Sequence, residues 1–267
     1  MTPATPVPAR SPAPAAGRTP LLICLPPAGA GPSLFFPWTR RHPGRVEILP
    51  VSLPGREARI GEPLAESLEA LADGLAADLA LRLAVHPAQP YALFGYSMGA
   101  VLGYEIGRRL ARMGLPKPEM LFLLGCNPPD SLAAGHDPLH LMDSAAFWET
   151  LVDLGGTPRE LLADPEALQL FEPSVRNDFR LCETYRPDMD APPLGWPAHA
   201  FFADGDRFAD AALAPGWTRF LGGPLTQHTL SGNHMLGRAE FAALLDRLLA
   251  LWPDRGIARN ERTGTGG

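Results

Sequence analysis

The sequence predicts a single α/β domain with a mostly parallel sheet covered by helices on both faces. Three observations predict it. Short, wholly apolar runs alternate along the chain with segments of helical period; one run enters a G-x-S-x-G turn and leaves it as a helix; and acidic and imidazole side chains stand just past the last two runs. The 267 residues, 46% hydrophobic and 19% charged, suffice for one sizeable core, and no internal stretch has the composition of a linker.

The elements follow in order. Residues 1–19 are mostly Pro, Ala, Ser and Thr and are expected to be disordered, because they offer little apolar surface to offset chain entropy. The domain is expected over 20–253. Leu21–Leu25 reads as a buried strand, stopped by Pro26-Pro27 and the small loop Ala28-Gly29-Ala30-Gly31. Val46–Leu53 reads as a second strand. Pro50 lacks a ladder donor, which puts that strand at a sheet edge or a bulge.

Over Leu64–Val85, Leu68, Leu71, Leu75, Leu79 and Leu83 recur at three- and four-residue spacing, the stripe of an amphipathic helix. Tyr91–Phe94 is the next strand. The helix after Ser97 runs to about Met113 and stops at Gly114, with Arg108, Arg109 and Arg112 where cations suit the helix dipole; Met120–Leu124 follows as a strand.

From 127 to 196 the alternation breaks, and helical segments are expected over Ser144–Leu154, Pro158–Ala163 and Pro165–Tyr185. A helical block inserted after a central strand reads as a lid, with Leu139, Met142, Phe147, Trp148, Leu151 and Phe171 as candidate pocket lining or as ordinary packing on the body. Ala198–Ala203 and Leu225–Leu230 are the last strands, and Ala239–Leu251 the closing helix. Residues 254–267 are expected to be flexible.

The chemistry-bearing residues stand at strand ends, where open α/β sheets collect their ligands. In Phe94-Gly95-Tyr96-Ser97-Met98-Gly99 the serine sits on a sharp strand-to-helix turn, and the two glycines let neighbouring backbone pass close. A serine hydroxyl needs a base within hydrogen-bond reach, and the base needs an acid that fixes its tautomer. His234, after the last strand, is the candidate base; of the other six histidines, His42 and His86 lie at helix ends, His136 and His140 in the insertion, and His199 and His228 inside strands.

Asp206 is the favoured acid, Asp204 its neighbour and alternative, and Asp130 a distant runner-up. The chain order Ser97, Asp206, His234 is that of α/β-hydrolases. A tetrahedral intermediate also needs backbone donors, each contributing about 3 kcal/mol; the amides of Met98 and Ala28 are the candidates.

Other classes are disfavoured. The net charge of −6 lacks the basic excess of a nucleic-acid binder, and the loop at 28–31 lacks the spacing and the lysine of a phosphate-binding loop. Cys24, Cys126 and Cys182 show no metal spacing and suit a reducing cytoplasm as buried apolar residues. No membrane span or secretory signal is visible, and no cofactor or metal is expected.

Several segments together resemble the type II thioesterases, the discrete α/β-hydrolases that accompany polyketide synthases and nonribosomal peptide synthetases. They are Pro26–Gly31, Leu53-Pro54-Gly55-Arg56-Glu57-Ala58-Arg59, Phe94–Ala100 with Tyr104-Glu105, Arg176-Asn177-Asp178-Phe179 with Glu183-Thr184-Tyr185, and Gly232-Asn233-His234. The Leu-Pro-Gly-Arg-Glu segment discriminates best. Tyr96 departs from the family, standing where histidine is usual.

The resemblance implies hydrolysis of acyl groups from the phosphopantetheine thiol of acyl or peptidyl carrier proteins, an editing of stalled synthases, with Ser97, Asp206 and His234 as the triad. A monomer is expected. Acyl transfer to an amine or alcohol, and a non-catalytic carrier-binding module, stay open. Carrier domains are usually acidic, so Arg40, Arg41, Arg45, Arg56 and Arg59 are noted as a possible basic face.

Overall fold

A computed structural model of the chain describes residues 18–132 and 137–252. The tails expected to be disordered lie outside these residues, apart from Arg18 and Thr19, and so does His136. Six strands, β1 (Leu21–Leu25), β2 (Glu47–Pro50), β3 (Tyr91–Tyr96), β4 (Met120–Leu124), β5 (Trp196–Ala203) and β6 (Gly222–Leu230), pair in the order β2-β1-β3-β4-β5-β6, every pairing parallel.

The inner strands are apolar because both of their faces are covered. In β1, Leu21, Ile23 and Leu25 enter one core with helices α2 (Leu68–Val85) and α3 (Met98–Arg112), while Leu22 and Cys24 enter the other with α7 (Arg238–Leu251). Trp38 of the short helix α1 (Phe36–Thr39) stacks on Phe241 of α7 in that second core.

Most departures from the sequence reading have local causes. Helix α2 starts at Leu68 rather than Leu64, because Ser67 is its cap and accepts the Ala70 amide at 3.1 Å. Strand β2 is shorter than expected and lies at the sheet edge, as Pro50 requires.

Strand β6 begins three residues early despite Gly222-Gly223-Pro224. A Cβ at Gly223 would stand 2.2 Å from the Trp196 carbonyl oxygen, so the glycine is what lets the two backbones pair there. The insertion between β4 and β5 holds α4 (Ser144–Asp153) and α5 (Pro165–Thr184), but the helix expected over Pro158–Ala163 is a 3-10 turn, Arg159–Ala163. Leu139, Phe147, Trp148, Leu151 and Val175 give the insertion a small core of its own. One further short helix, α6 (Trp217–Leu221), precedes β6.

Candidate active site

Ser97 joins β3 to α3 with φ 51° and ψ −116°, one of two non-glycine residues with positive φ among those described. Such a conformation persists only where the surroundings over-determine it. They do so here: the Ser97 amide donates to the Leu124 carbonyl at 2.7 Å, extending the ladder to β4. A Cβ at Gly95 would lie 2.2 Å from the Gly99 carbonyl oxygen, and one at Gly99 2.2 Å from that of Leu25. The turn is thus closed by backbone on both sides, and the hydroxyl is left projecting from it.

The loops after β5 and β6 supply the other two groups. Ser97 Oγ lies 3.0 Å from His234 Nε2, and His234 Nδ1 lies 2.9 and 3.0 Å from the two carboxylate oxygens of Asp206. Asp206 also accepts the amides of Phe208 and Ala209 at 2.8 and 3.0 Å. Burial pushes the Asp206 carboxyl up, but the hydrogen bond and charge of His234, with the two amides, outweigh it and hold Asp206 below the ordinary carboxylate range. An ionised Asp206 at Nδ1 fixes the tautomer that leaves Nε2 free to accept the serine proton.

The two alternative acids are placed elsewhere. Asp204 Oδ1 accepts the Gly232 amide at 3.0 Å, and Gly205 donates to the Gly232 carbonyl at 2.8 Å, so Asp204 stitches the two loops together. Gly205 has to lack a Cβ, which would meet Gly232 O at 2.7 Å. Asp130 faces Arg219 at 3.8 Å. At the end of β4, a Cβ on Gly125 would stand 3.3 Å from Asp206 Oδ2 and 3.4 Å from His234 Nδ1, so that position reaches the site and is kept open for Asp206.

Two cavities meet at Ser97. One, of about 390 Å³, is bordered by Trp148, Leu151, Phe171, Val175 and Met235; a smaller one, of about 180 Å³, by Met98, Leu132, Leu139 and Cys182. Phe179 and Phe208, in edge-to-face contact with centroids 6.5 Å apart, border both. Ala28 also borders both, and Met98 opens α3, where its amide has no partner within the helix. The Gly29 amide is already taken by Asp178 Oδ2 at 2.8 Å. Among the described residues no cluster of three or more metal-capable side chains occurs, and no helix is long and apolar enough to cross a membrane.

Two sequence expectations need correction. Cys182 is only half-buried, packing against the main core while also bordering the smaller cavity, whereas Cys24 and Cys126 are buried as expected. The five arginines do not form one basic face. Arg56 is buried against Asp178, Arg41 pairs with Asp246, and Arg59 pairs with Glu62 and Asp78. Sequence reasoning noted Tyr96 only as a departure from the family and missed its role: its hydroxyl donates to the His234 carbonyl at 2.6 Å and accepts the Leu236 amide at 2.7 Å, pinning the histidine loop from beneath. Its place beside Ser97, with its side chain on the opposite face of the strand, was the available signal.

A parallel sheet with a strained serine at one strand end and an Asp-oriented histidine beside it defines an α/β-hydrolase. Residues 20–251 match the thioesterase domain family, and the chain belongs to it, a thioester hydrolase of the α/β-hydrolase type. The chain is 35% identical over 221 residues to the thioesterase PikA5 of Streptomyces venezuelae, covering 80% of this chain and 74% of that protein. Among solved structures it is similar to RedJ, a thioesterase of the prodiginine pathway of Streptomyces coelicolor, at 33% identity and a TM-score of 0.78, covering 90% of this chain and 96% of that one. It is also similar to YbtT, a type II thioesterase of the yersiniabactin pathway, at 31% identity and a TM-score of 0.77, covering 92% and 96%.

Proposed function

We propose that the chain hydrolyses acyl groups from the phosphopantetheine thiol of acyl or peptidyl carrier proteins, clearing stalled synthases of secondary metabolism in the cytoplasm. The hydrogen-bonded series Ser97, His234, Asp206, opening on apolar cavities beneath a helical insertion, carries this reading. The biosynthetic pathways named for RedJ and YbtT support the carrier as substrate. Helices α4 and α5 of the insertion act as the lid.

In the first half-reaction Ser97 Oγ attacks the thioester carbonyl carbon while its proton passes to His234 Nε2. The amides of Met98 and Ala28 hold the negative oxygen of the tetrahedral intermediate. The C–S bond then breaks, the sulfur takes the proton from His234, and the free carrier thiol leaves acyl-Ser97. In the second half, water attacks that ester carbonyl and gives a proton to His234; collapse of the intermediate returns it to Ser97 Oγ and releases the carboxylic acid. Asp206 stays ionised throughout and stabilises the imidazolium.

The test is release of free acid from an acyl-carrier protein, beside the same acyl group on a small thiol, for wild type and Ser97→Ala. Wild type is expected to clear the carrier and the variant to lose at least about 1000-fold in turnover with its fold intact. Acyl transfer seen only when an amine or alcohol is added, or full turnover in the variant, would overturn the reading.

A further inference from the structure

Two of the family segments, Leu53–Arg59 and Arg176–Phe179, have no part in the proton relay, yet they meet at the loop that carries Ala28. Arg56 and Asp178, 122 residues apart, form a bidentate pair: Nη1 to Oδ2 at 2.5 Å and Nη2 to Oδ1 at 2.7 Å. Asp178 lies on α5, its side chain 1% exposed. The same Asp178 Oδ2 accepts the Gly29 amide, and Arg56 Nη1 also donates to the Ala30 carbonyl at 3.2 Å. Arg56 Nε is buried with no partner, which costs stability, so the guanidinium is held by what its other nitrogens bind.

The next residue clasps the far end of the loop. Glu57 Oε1 accepts the Ser33 hydroxyl at 2.6 Å, and its backbone sits at φ 45°, the second strained non-glycine position of the described chain. A Cβ at Gly31 would meet that carboxylate at 2.2 Å.

These bonds orient the Ala28 amide through its two flanking peptide planes. The Ala30 amide donates to the Pro27 carbonyl at 3.1 Å. That carbonyl and the Ala28 N–H share one planar group and point in opposite directions, so fixing the first aims the second. On the other side, the Asp178 bond fixes the peptide plane joining Ala28 to Gly29. Gly29 itself has φ 77° and sits against Val175 of α5, whose Cγ1 would be 3.2 Å from an added Cβ.

We propose that Asp178, held by Arg56, is the positioning residue for the Ala28 oxyanion donor, and that through it helix α5, whose Val175 and Phe179 border the cavities at Ser97, sets the geometry of the oxyanion hole. This rests on the acyl-Ser97 reading above. Charge-assisted bidentate contacts give the clamp both strength and direction. A group that seats against Val175 and Phe179 thus holds the helix that holds the donor.

The test compares wild type, Asp178→Asn and Arg56→Lys on one acyl-carrier substrate. It also measures binding of two acyl-pantetheine analogues: a trifluoromethyl ketone that adds to Ser97 and presents an oxyanion, and an unreactive amide. For Asp178→Asn, kcat is expected to fall about 10–100-fold, as for a misplaced transition-state contact. KM is expected to stay within about threefold. The ketone should weaken by the same factor as kcat, and the amide should bind as before.

Arg56→Lys, which keeps the charge and the Asp178–Gly29 bond, is expected to lose about 3–10-fold in the same ketone-selective way, and it decides the matter if Asp178→Asn does not fold. Unchanged kcat, or equal weakening of ketone and amide alongside a lower Tm, would overturn the proposal in favour of a structural pair. Ser97→Ala is run beside them. If it keeps turnover, the underlying reading fails; if it is inactive while Asp178→Asn keeps full activity, only the positioning role fails.

Discussion

The sheet and the insertion are held together by different forces. Strands β1, β3 and β4 are buried along their length and fixed by ladder bonds and non-directional packing. The insertion has only a small apolar core of its own, and directional bonds from polar side chains of one helix, α5, lace its segments together and reach the body. Arg176 donates to the carbonyls of His140 and Met142 at 3.0 and 2.8 Å and stacks over Phe147, Glu183 accepts the Leu139 and His140 amides at 2.8 and 3.2 Å, and Arg180 reaches the Glu66 and Ala65 carbonyls at 2.9 and 3.1 Å. Packing tolerates little displacement, whereas a tether can be broken one bond at a time. The sheet therefore fixes where Ser97, His234 and Asp206 meet, and α5 shapes the cavities beside them.

The comparison breaks if rate and stability losses fail to divide along that line. The largest expected effect lies at the sheet's strand ends. Asp206→Asn should lower kcat about 10⁴-fold, because the amide can hold the wrong imidazole tautomer. Steady-state turnover with Ser97 still present checks it. The same variant reads a pH effect of known sign. Asp206 is held below the ordinary carboxylate range, so its contribution to stability is complete above about pH 3.9 and is lost as the pH falls through the folded value. Urea midpoints followed downward in pH should show this extra acid loss in wild type and not in Asp206→Asn.

Next comes the turn itself. Gly95→Ala places a methyl 2.2 Å from the Gly99 carbonyl oxygen and 2.4 Å from the Ala100 Cα, backbone atoms that cannot swing aside. A loss of at least about 3 kcal/mol, the upper end of overpacking costs, is expected in chemical denaturation. A stable Gly95→Ala variant would show that the turn is looser than its packing implies.

The smallest effect lies in the insertion. Arg176→Ala removes two carbonyl bonds, the Glu172 pair and the stacking on Phe147, all partly exposed, and should lower stability by only about 1–2 kcal/mol. Its signature is kinetic: KM for a long acyl chain should rise more than kcat falls. A fall in kcat with KM unchanged would give Arg176 the kind of role proposed for Asp178 instead of a hold on the cavity wall, and would remove the expected division between rate and binding.

Legibility in the sequence followed the same division. The strand runs, the serine turn and the order Ser97, Asp206, His234 could be read because each depends on local pattern: apolar continuity, a turn that needs glycine, and polar groups just past strand ends. The choice between Asp206 and Asp204 depended on which carboxylate the β5 loop turns inward. The packing of Gly205 against the β6 loop decides that. Helices α1 and α6, of four and five residues, are too short for periodicity to show. Arg56 looked like surface charge because burial of an arginine depends on a partner 122 residues away.

The sequence by itself determined the class of fold, the serine turn and the chain order of the groups around it, because backbone period and turn chemistry act over a few residues. Tertiary structure decided which carboxylate meets His234, that Tyr96 anchors the histidine loop, and that Arg56 and Asp178 clasp the loop bearing Ala28. Each of these is a directional contact between segments far apart in the chain, and such contacts exist only once the burial of the sheet has brought those segments to the same strand ends.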